Sequence, residues 1–113
     1  MAAVHAKKGI TFKGVKPEIA VAIPIAATVV ESLGGRFVIT SLSGGEDWRS
    51  PRSLHPRGYA FDIRIWDFPS LESQRNLVRA LQDALGDEFD VVLESDHIHI
   101  EFDSDPKPDV STV

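Results

Sequence analysis

Two short segments of this chain contain residue types that bind divalent metal ions. The segment SLHPRGYAFDIR places His55 seven positions before Asp62. The segment DHIHIEF places His97 and His99 two positions apart. Two imidazoles and one carboxylate, with a fourth position left for water, form the ligand set of a catalytic zinc site. The chain contains no cysteine, so a metal site here must use histidine, aspartate or glutamate.

Residue alternation predicts that these side chains share one face of a sheet. In HIHIEF, strand geometry puts His97 and His99 on one face and the isoleucines on the other. In YAFDIRIW, Asp62 lies on the face opposite the apolar residues. If the two strands are neighbours, Asp62 and His99 can converge, with His55 approaching from the preceding loop. An H-x-H pair alone is weak evidence for a metal, and an ordinary solvated strand is the alternative.

Two helices are expected around these strands. The first covers about residues 17–33, and Pro24 inside it should kink or split the helix. The second covers about residues 70–85, with Ser70 as its N-cap and Gly86 as its terminator. Its apolar face is predicted to contain Leu71, Val78, Leu81 and Leu85.

Four segments rich in β-branched and aromatic residues are predicted to be strands. They are residues 36–41, 59–66, 89–94 and 97–102. The last two form a hairpin through a tight turn at Ser95 and Asp96. Residues 1–16 are expected to be a lead-in with a short extended piece near ITFKG. Together these elements predict an α+β domain with a mainly antiparallel sheet and two main helices.

The length and charge of the chain limit its function classes. Its 113 residues suit one small domain, which we place at residues 1–103 with a flexible tail at 104–113. The formal charge is −5 and there is no basic block, so we expect no nucleic-acid partner. The most apolar segment, residues 19–30, is too short to span a membrane. The N-terminus lacks the apolar core of a signal peptide. We therefore expect a protein that is made in the cytoplasm and has no membrane partner. We also expect a monomer.

The two segments resemble the zinc D-Ala-D-Ala carboxypeptidase family, which includes bacterial and phage murein peptidases. The family shares its fold with the Hedgehog signalling domain. Its pattern is S-x-H-x-x-G-x-A-x-D, followed by an acid and H-x-H. The matching residues, within about 36–103, are Ser53, His55, Gly58, Ala60, Asp62, Asp96, His97 and His99. The resemblance implies a Hedgehog/DD-peptidase-like fold and one Zn²⁺ per chain, held by His55, Asp62 and His99.

The resemblance also implies a catalytic carboxylate beside the metal. Cell-wall enzymes of the family place an acid three positions before the last histidine, which is Asp96 here. Hedgehog-like members have a glutamate slightly upstream, and Glu94 lies near that place. We favour Asp96 as the base, assisted by His97, and keep Glu94 as the alternative. Glu101 points to the same face as His99, but nothing in the pattern requires a role for it.

Relatives usually carry an arginine in the loop before the first ligand, where it polarises the scissile carbonyl or holds a substrate carboxylate. We favour Arg49, six positions before His55, for this role. The loop reads SLSGGEDWR instead of the family's familiar SGYR form. Trp48 and Trp66 could line a groove, but we favour packing for both. The other candidate arginines are Arg52, Arg57 and Arg64.

By resemblance, the protein would hydrolyse amide bonds of peptidoglycan stem peptides with a water molecule that zinc binds and acidifies. The bond would be that of a D-Ala carboxypeptidase or of an L-Ala-D-Glu endopeptidase. Small enzymes of this kind resemble phage lysis proteins, which reach the cell wall through a holin or from a virion. The alternative is a non-catalytic, zinc-binding Hedgehog-like domain that acts as a binding or virion structural module. The presence of Asp96, Glu94 and His97 favours catalysis.

Overall fold

A computed structural model describes residues 2–42 and 59–103 of the protein. Within these ranges the chain forms one five-stranded sheet with spatial order β1-β2-β3-β5-β4, together with two helices. The predicted α+β class is therefore confirmed. In chain order, the elements are β1 (His5–Ala6), α1 (Pro17–Ser32), β2 (Val38–Leu42), β3 (Ala60–Arg64), α2 (Leu71–Leu85), β4 (Phe89–Leu93) and β5 (His97–Phe102).

The sheet is mixed, which corrects the prediction of a mainly antiparallel sheet. β1 pairs with β2 in parallel, whereas the β2–β3, β3–β5 and β5–β4 pairs are antiparallel. Parallel neighbours need a crossover connection, and α1 provides it between β1 and β2. The sequence did not reveal β1 because two residues are too few to show alternation. The extended piece expected near ITFKG is instead a turn, in which the Val15 amide donates to the Phe12 carbonyl at 3.2 Å.

The first helix continues through its internal proline as a single element, so the expected split does not occur. Pro24 lies on the exposed face of α1, where water can reach the carbonyl that lost its amide partner. The hydroxyl of Thr28 donates to the Pro24 carbonyl at 3.0 Å. The opposite face packs into the core and recurs with helical spacing: Ile19, Ala22, Ile23, Ala26, Ala27 and Val30.

The second helix begins and ends where the sequence predicts. The Ser70 hydroxyl caps it by accepting from the Ser73 amide at 3.0 Å, and Gly86 ends it with φ of 92°. Its buried face differs from the prediction, because Leu77 is fully buried and Leu71 is 52% exposed. Leu71 lies in the first turn, about 120° around the helix from Leu77.

The two faces of the sheet differ in polarity. On the core face, Phe61 and Ile63 of β3 lie opposite Ile100 and Ile98 of β5, and all four are fully buried. They belong to the same apolar core as the buried residues of both helices. Alternation therefore places the polar residues of β3 and β5 on the other face: Asp62, Arg64, His97, His99 and Glu101. No helix within the described ranges is both long and apolar enough to cross a membrane.

Candidate metal centre

Asp62 and His99 form the centre of the polar face. They are direct partners in the antiparallel register of β3 and β5. Asp62 Oδ1 lies 2.8 Å from His99 Nδ1, and the two side chains are 15% and 19% exposed. The convergence that the sequence suggested for these two residues therefore occurs, because β3 and β5 are neighbours in the sheet.

A second carboxylate holds the other side of the same imidazole ring. Glu101 Oε1 lies 2.9 Å from His99 Nε2, and the Glu101 side chain is 18% exposed. Both ring nitrogens of His99 therefore face a carboxylate oxygen. The sequence contained the signal for this contact, because residues two apart on a strand share a face. Sequence reasoning nevertheless gave Glu101 no role.

These two carboxylates favour a cation at His99. The hydrogen bond with Asp62 is the largest cause that raises the pKa of His99 from 6.5 to about 9, and Glu101 adds to it. Burial acts in the opposite direction but is outweighed. In the metal-free protein at neutral pH, the ring is thus a protonated imidazolium between two carboxylates.

The other histidine of the pair lies between two aspartates. His97 Nδ1 is 2.6 Å from Asp96 Oδ1, and His97 Nε2 is 3.7 Å from Asp62 Oδ2. The Asp96 contact therefore orients the ring so that its second nitrogen faces the Asp62–His99 pair. The Asp96 side chain is 84% exposed and lies on the outer side of His97.

The alternative base, Glu94, occupies the hairpin between β4 and β5. Its backbone amide donates to the His97 carbonyl at 2.9 Å, which closes the turn at Ser95 and Asp96. The side chain is exposed and makes no hydrogen bond or ion pair with any other residue that the structure describes. The contact observed for Glu94 is therefore the backbone hydrogen bond of the hairpin and does not involve its carboxylate.

Several residues singled out in the sequence lie outside the described ranges. These are the third predicted ligand His55, the favoured arginine Arg49, and also Trp48, Arg52, Ser53, Arg57 and Gly58. Ala60 is described, fully buried, and paired with Glu101 across β3 and β5. Trp66 is 74% exposed, so the expectation that it packs into the protein is wrong.

The described residues can be compared with the donors that a metal ion would need. Across residues 2–42 and 59–103, no three histidine, aspartate or glutamate side chains converge to hold a metal ion. Asp62 and His99 nevertheless offer a carboxylate oxygen and an imidazole nitrogen that face each other, which are donors that zinc accepts. Glu101 on the far nitrogen of His99 is the carboxylate–histidine arrangement that commonly supports a metal-binding imidazole. The donor chemistry therefore fits a divalent cation between Asp62 and His99.

No protein-family model matches this chain, and a comparison with curated proteins finds no significant match.

Proposed function

We propose that this protein is a zinc-dependent peptidase that hydrolyses amide bonds of peptidoglycan stem peptides, with a Hedgehog/DD-peptidase-like fold. The observation that supports this best is the Asp62–His99 contact of 2.8 Å on the polar face of the sheet. His97 lies beside this pair, with its own aspartate partner. The sequence resemblance supplies the reaction class.

In this proposal His55, Asp62 and His99 hold one Zn²⁺ per chain. The zinc would polarise the scissile carbonyl and lower the pKa of a bound water molecule. Glu101 keeps the His99 ring oriented through the 2.9 Å contact with its far nitrogen. Arg49 would stabilise the developing oxyanion, as the resemblance implies.

For the path of the proton we propose one change from the sequence-based prediction: His97, and not Asp96, is the base that contacts the water. Asp96 orients the His97 ring, so that Nε2 is directed towards the site where water would attack. His97 takes a proton from the water as the oxygen bonds to the amide carbon, and delivers it to the leaving nitrogen as the C–N bond breaks. The products are a carboxylate and an amine. Asp96 acts in this scheme through His97, by holding the orientation of the ring through the 2.6 Å contact.

The substrate and location follow from the same resemblance. The partner would be a peptidoglycan stem peptide, cut as by a D-Ala carboxypeptidase or an L-Ala-D-Glu endopeptidase. The protein would act on the cell wall after release through a holin or delivery by a virion.

Metal analysis and substrate digestion test this proposal. The purified protein should contain about one zinc per chain, and His55→Ala and Asp62→Ala should lose it. Asp87→Asn, a change at an exposed loop residue, is the control and should retain it. Purified muropeptides digested with the zinc-loaded protein should give products whose masses identify the cut bond.

The possible results separate the candidate functions. Stoichiometric zinc without any cleavage would favour the non-catalytic binding module. Full zinc retention in both ligand variants would overturn the assignment of the metal site.

A further inference from the structure

The edge of the sheet next to α2 exposes backbone groups that β5 does not pair. β4 is an edge strand, and its neighbour in the sheet is β5. The Glu94 amide donates to the His97 carbonyl at 2.9 Å, and hydrogen-bonded pairs alternate along an antiparallel ladder. The amides and carbonyls of Phe89, Val91 and Leu93 therefore face outwards, away from β5.

Gln82 of α2 occupies one half of this edge. Its side-chain amide donates to the Phe89 carbonyl at 2.7 Å and accepts from the Val91 amide at 3.3 Å. Within residues 2–42 and 59–103, no side chain or loop group bonds the Val91 carbonyl or the amide and carbonyl of Leu93. The second half of the edge is therefore open to a strand from another molecule.

A groove of about 450 Å³ runs along this edge, on the side of the sheet that α2 covers. Its lining consists of two apolar residues, two arginines and two other polar residues: Val78, Leu93, Arg75, Arg79, Gln82 and Asp83. Arg79 and Arg75 precede Gln82 by about one and two helical turns. Because α2 and β4 run in opposite directions, both arginines lie towards Leu93 and the open half of the edge.

The two arginines can accept an anionic partner. Both side chains are exposed, and neither forms an ion pair with a carboxylate in the part of the chain that the structure describes. Arg79 Nη1 lies 3.4 Å from Oδ1 of Asn76, which is a neutral amide. Two neighbouring guanidinium groups beside a groove favour a ligand with a carboxylate, because each can donate two parallel hydrogen bonds to it.

We propose that this edge binds an extended peptide segment of a partner protein. The segment adds as a strand beside Val91 and Leu93 and places an acidic side chain against Arg75 and Arg79. Hydrogen bonds to the open half of the edge set its register. Val78 and Leu93 contact an apolar side chain two residues away, since alternate side chains of a strand share a face. The surface lies on the other side of the sheet from the candidate metal centre and does not depend on the proposed peptidase function.

A pair of peptides tests the charge requirement. The probe is acetyl-Val-Thr-Glu-Thr-Val-amide, and binding is followed by NMR through the backbone amide of Leu93. We expect this signal to shift and its hydrogen exchange to slow when the peptide is added. The same peptide with glutamine in place of glutamate should bind about 10- to 100-fold more weakly, the size of a lost charge-assisted pair. Equal affinity of the two peptides would overturn the proposal.

Backbone methylation distinguishes strand addition from attraction between charges alone. Two further peptides carry N-methyl groups on alternate residues, one on both threonines and the other on the glutamate and the last valine. Because alternate amides point to opposite sides of a strand, only one of these peptides should lose binding. Binding of both with the affinity of the unmethylated peptide would show that no strand is added.

Protein variants test the arginines with a matched control. Arg75→Gln and Arg79→Gln should each weaken binding of the glutamate peptide by about tenfold or more and change binding of the glutamine peptide little. Lys8→Gln removes an exposed cation after β1, at the opposite edge of the sheet, and should leave both affinities unchanged. An equal loss in Lys8→Gln would mean that net charge, and not the groove, attracts the peptide.

Dilution of the protein without peptide tests for another occupant. A Leu93 amide signal that shifts with protein concentration, together with a dimer in sedimentation, would identify a second copy of the chain as the added strand and would overturn the proposed partner. A concentration-independent signal that moves with the glutamate peptide would support it.

Discussion

Asp62 and His99 lie directly opposite each other on β3 and β5, with 2.8 Å between Asp62 Oδ1 and His99 Nδ1. The two residues are 37 positions apart in the chain. Their contact joins the two segments that carry the candidate chemistry. Glu101 completes the arrangement from the far nitrogen of the same ring.

The pKa of His99 predicts how the stability of the metal-free protein depends on pH. Because its pKa rises from 6.5 to about 9 on folding, the folded state binds the proton more tightly than the unfolded state. The resulting stabilisation is complete below about pH 6.5 and is lost as the pH rises through 9. Its size is on the order of 3 kcal/mol. Urea unfolding in a chelator at pH 6 and pH 10 should show this loss, and Asp62→Asn should reduce it. An equal loss in Asp62→Asn would contradict the assignment.

Zinc binding should release a proton from His99. The ring carries a proton at neutral pH, and a metal ion at Nδ1 must displace it. The apparent zinc affinity should therefore rise by about tenfold per pH unit and level off near pH 9. Competition with a chelator at several pH values measures the affinity, and calorimetry in two buffers counts the released protons. An affinity independent of pH between 6.5 and 8.5 would mean that zinc does not bind through His99.

Glu101→Gln tests the support of the His99 ring. The substitution keeps the shape of the side chain but removes the charge that faces His99 Nε2 at 2.9 Å. We expect zinc affinity to fall by about 10- to 100-fold without being abolished. Chelator competition measures the change, and Asp87→Asn is the charge-matched control. Unchanged zinc affinity in Glu101→Gln would show that Glu101 does not support zinc binding by His99.

Two carboxylate variants decide which acid serves catalysis. Asp96→Asn should lower kcat by about 100-fold or more while zinc is retained, because the 2.6 Å contact that orients His97 loses its charge. Glu94→Gln should have little effect, since its described contact is a backbone hydrogen bond. Muropeptide hydrolysis and metal content are measured for both variants. The opposite result, with activity lost only in Glu94→Gln, would make Glu94 the catalytic acid.

Gln82 protects the outer edge of β4. Its side-chain amide donates to the Phe89 carbonyl at 2.7 Å and accepts from the Val91 amide at 3.3 Å. Gln82→Ala leaves these edge groups without that partner and should lower the free energy of unfolding by about 1–3 kcal/mol. Urea denaturation measures the loss. Arg79→Ala, an exposed change on the same helix, should cost less, and equal losses would show that the edge hydrogen bonds of Gln82 add no stability of their own.

Local patterns predicted most of the elements correctly. The alternation in β3 and β5 identified both faces, because a strand turns successive side chains to opposite sides whatever its neighbours are. The cap at Ser70 and the stop at Gly86 were also predicted, since both depend on a few adjacent residues. Leu71 was wrongly placed on the buried face of α2. Helical periodicity groups residues on one face, but it does not say which part of that face packs against the sheet.

Non-local pairing explains what the sequence did not reveal. The short β1 is a strand only because it lies beside β2 after the α1 crossover, and its two residues have no recognisable pattern. Trp66 was expected to pack, yet it lies in the turn after β3, is 74% exposed and has the guanidinium of Arg64 over its ring. The residue type alone predicts that an apolar indole ring packs against other side chains. The fold determines which side chains lie near it.

By itself, the sequence determined the α+β class, the polar face of each strand and the residue types available for a metal. The tertiary structure decided that β3 and β5 are neighbours and that Asp62 opposes His99. It also decided that Glu101 holds the far nitrogen of His99 and that Asp96 holds His97. The physical reason is that alternation is a property of one strand, whereas register depends on how the strands pack over a common core.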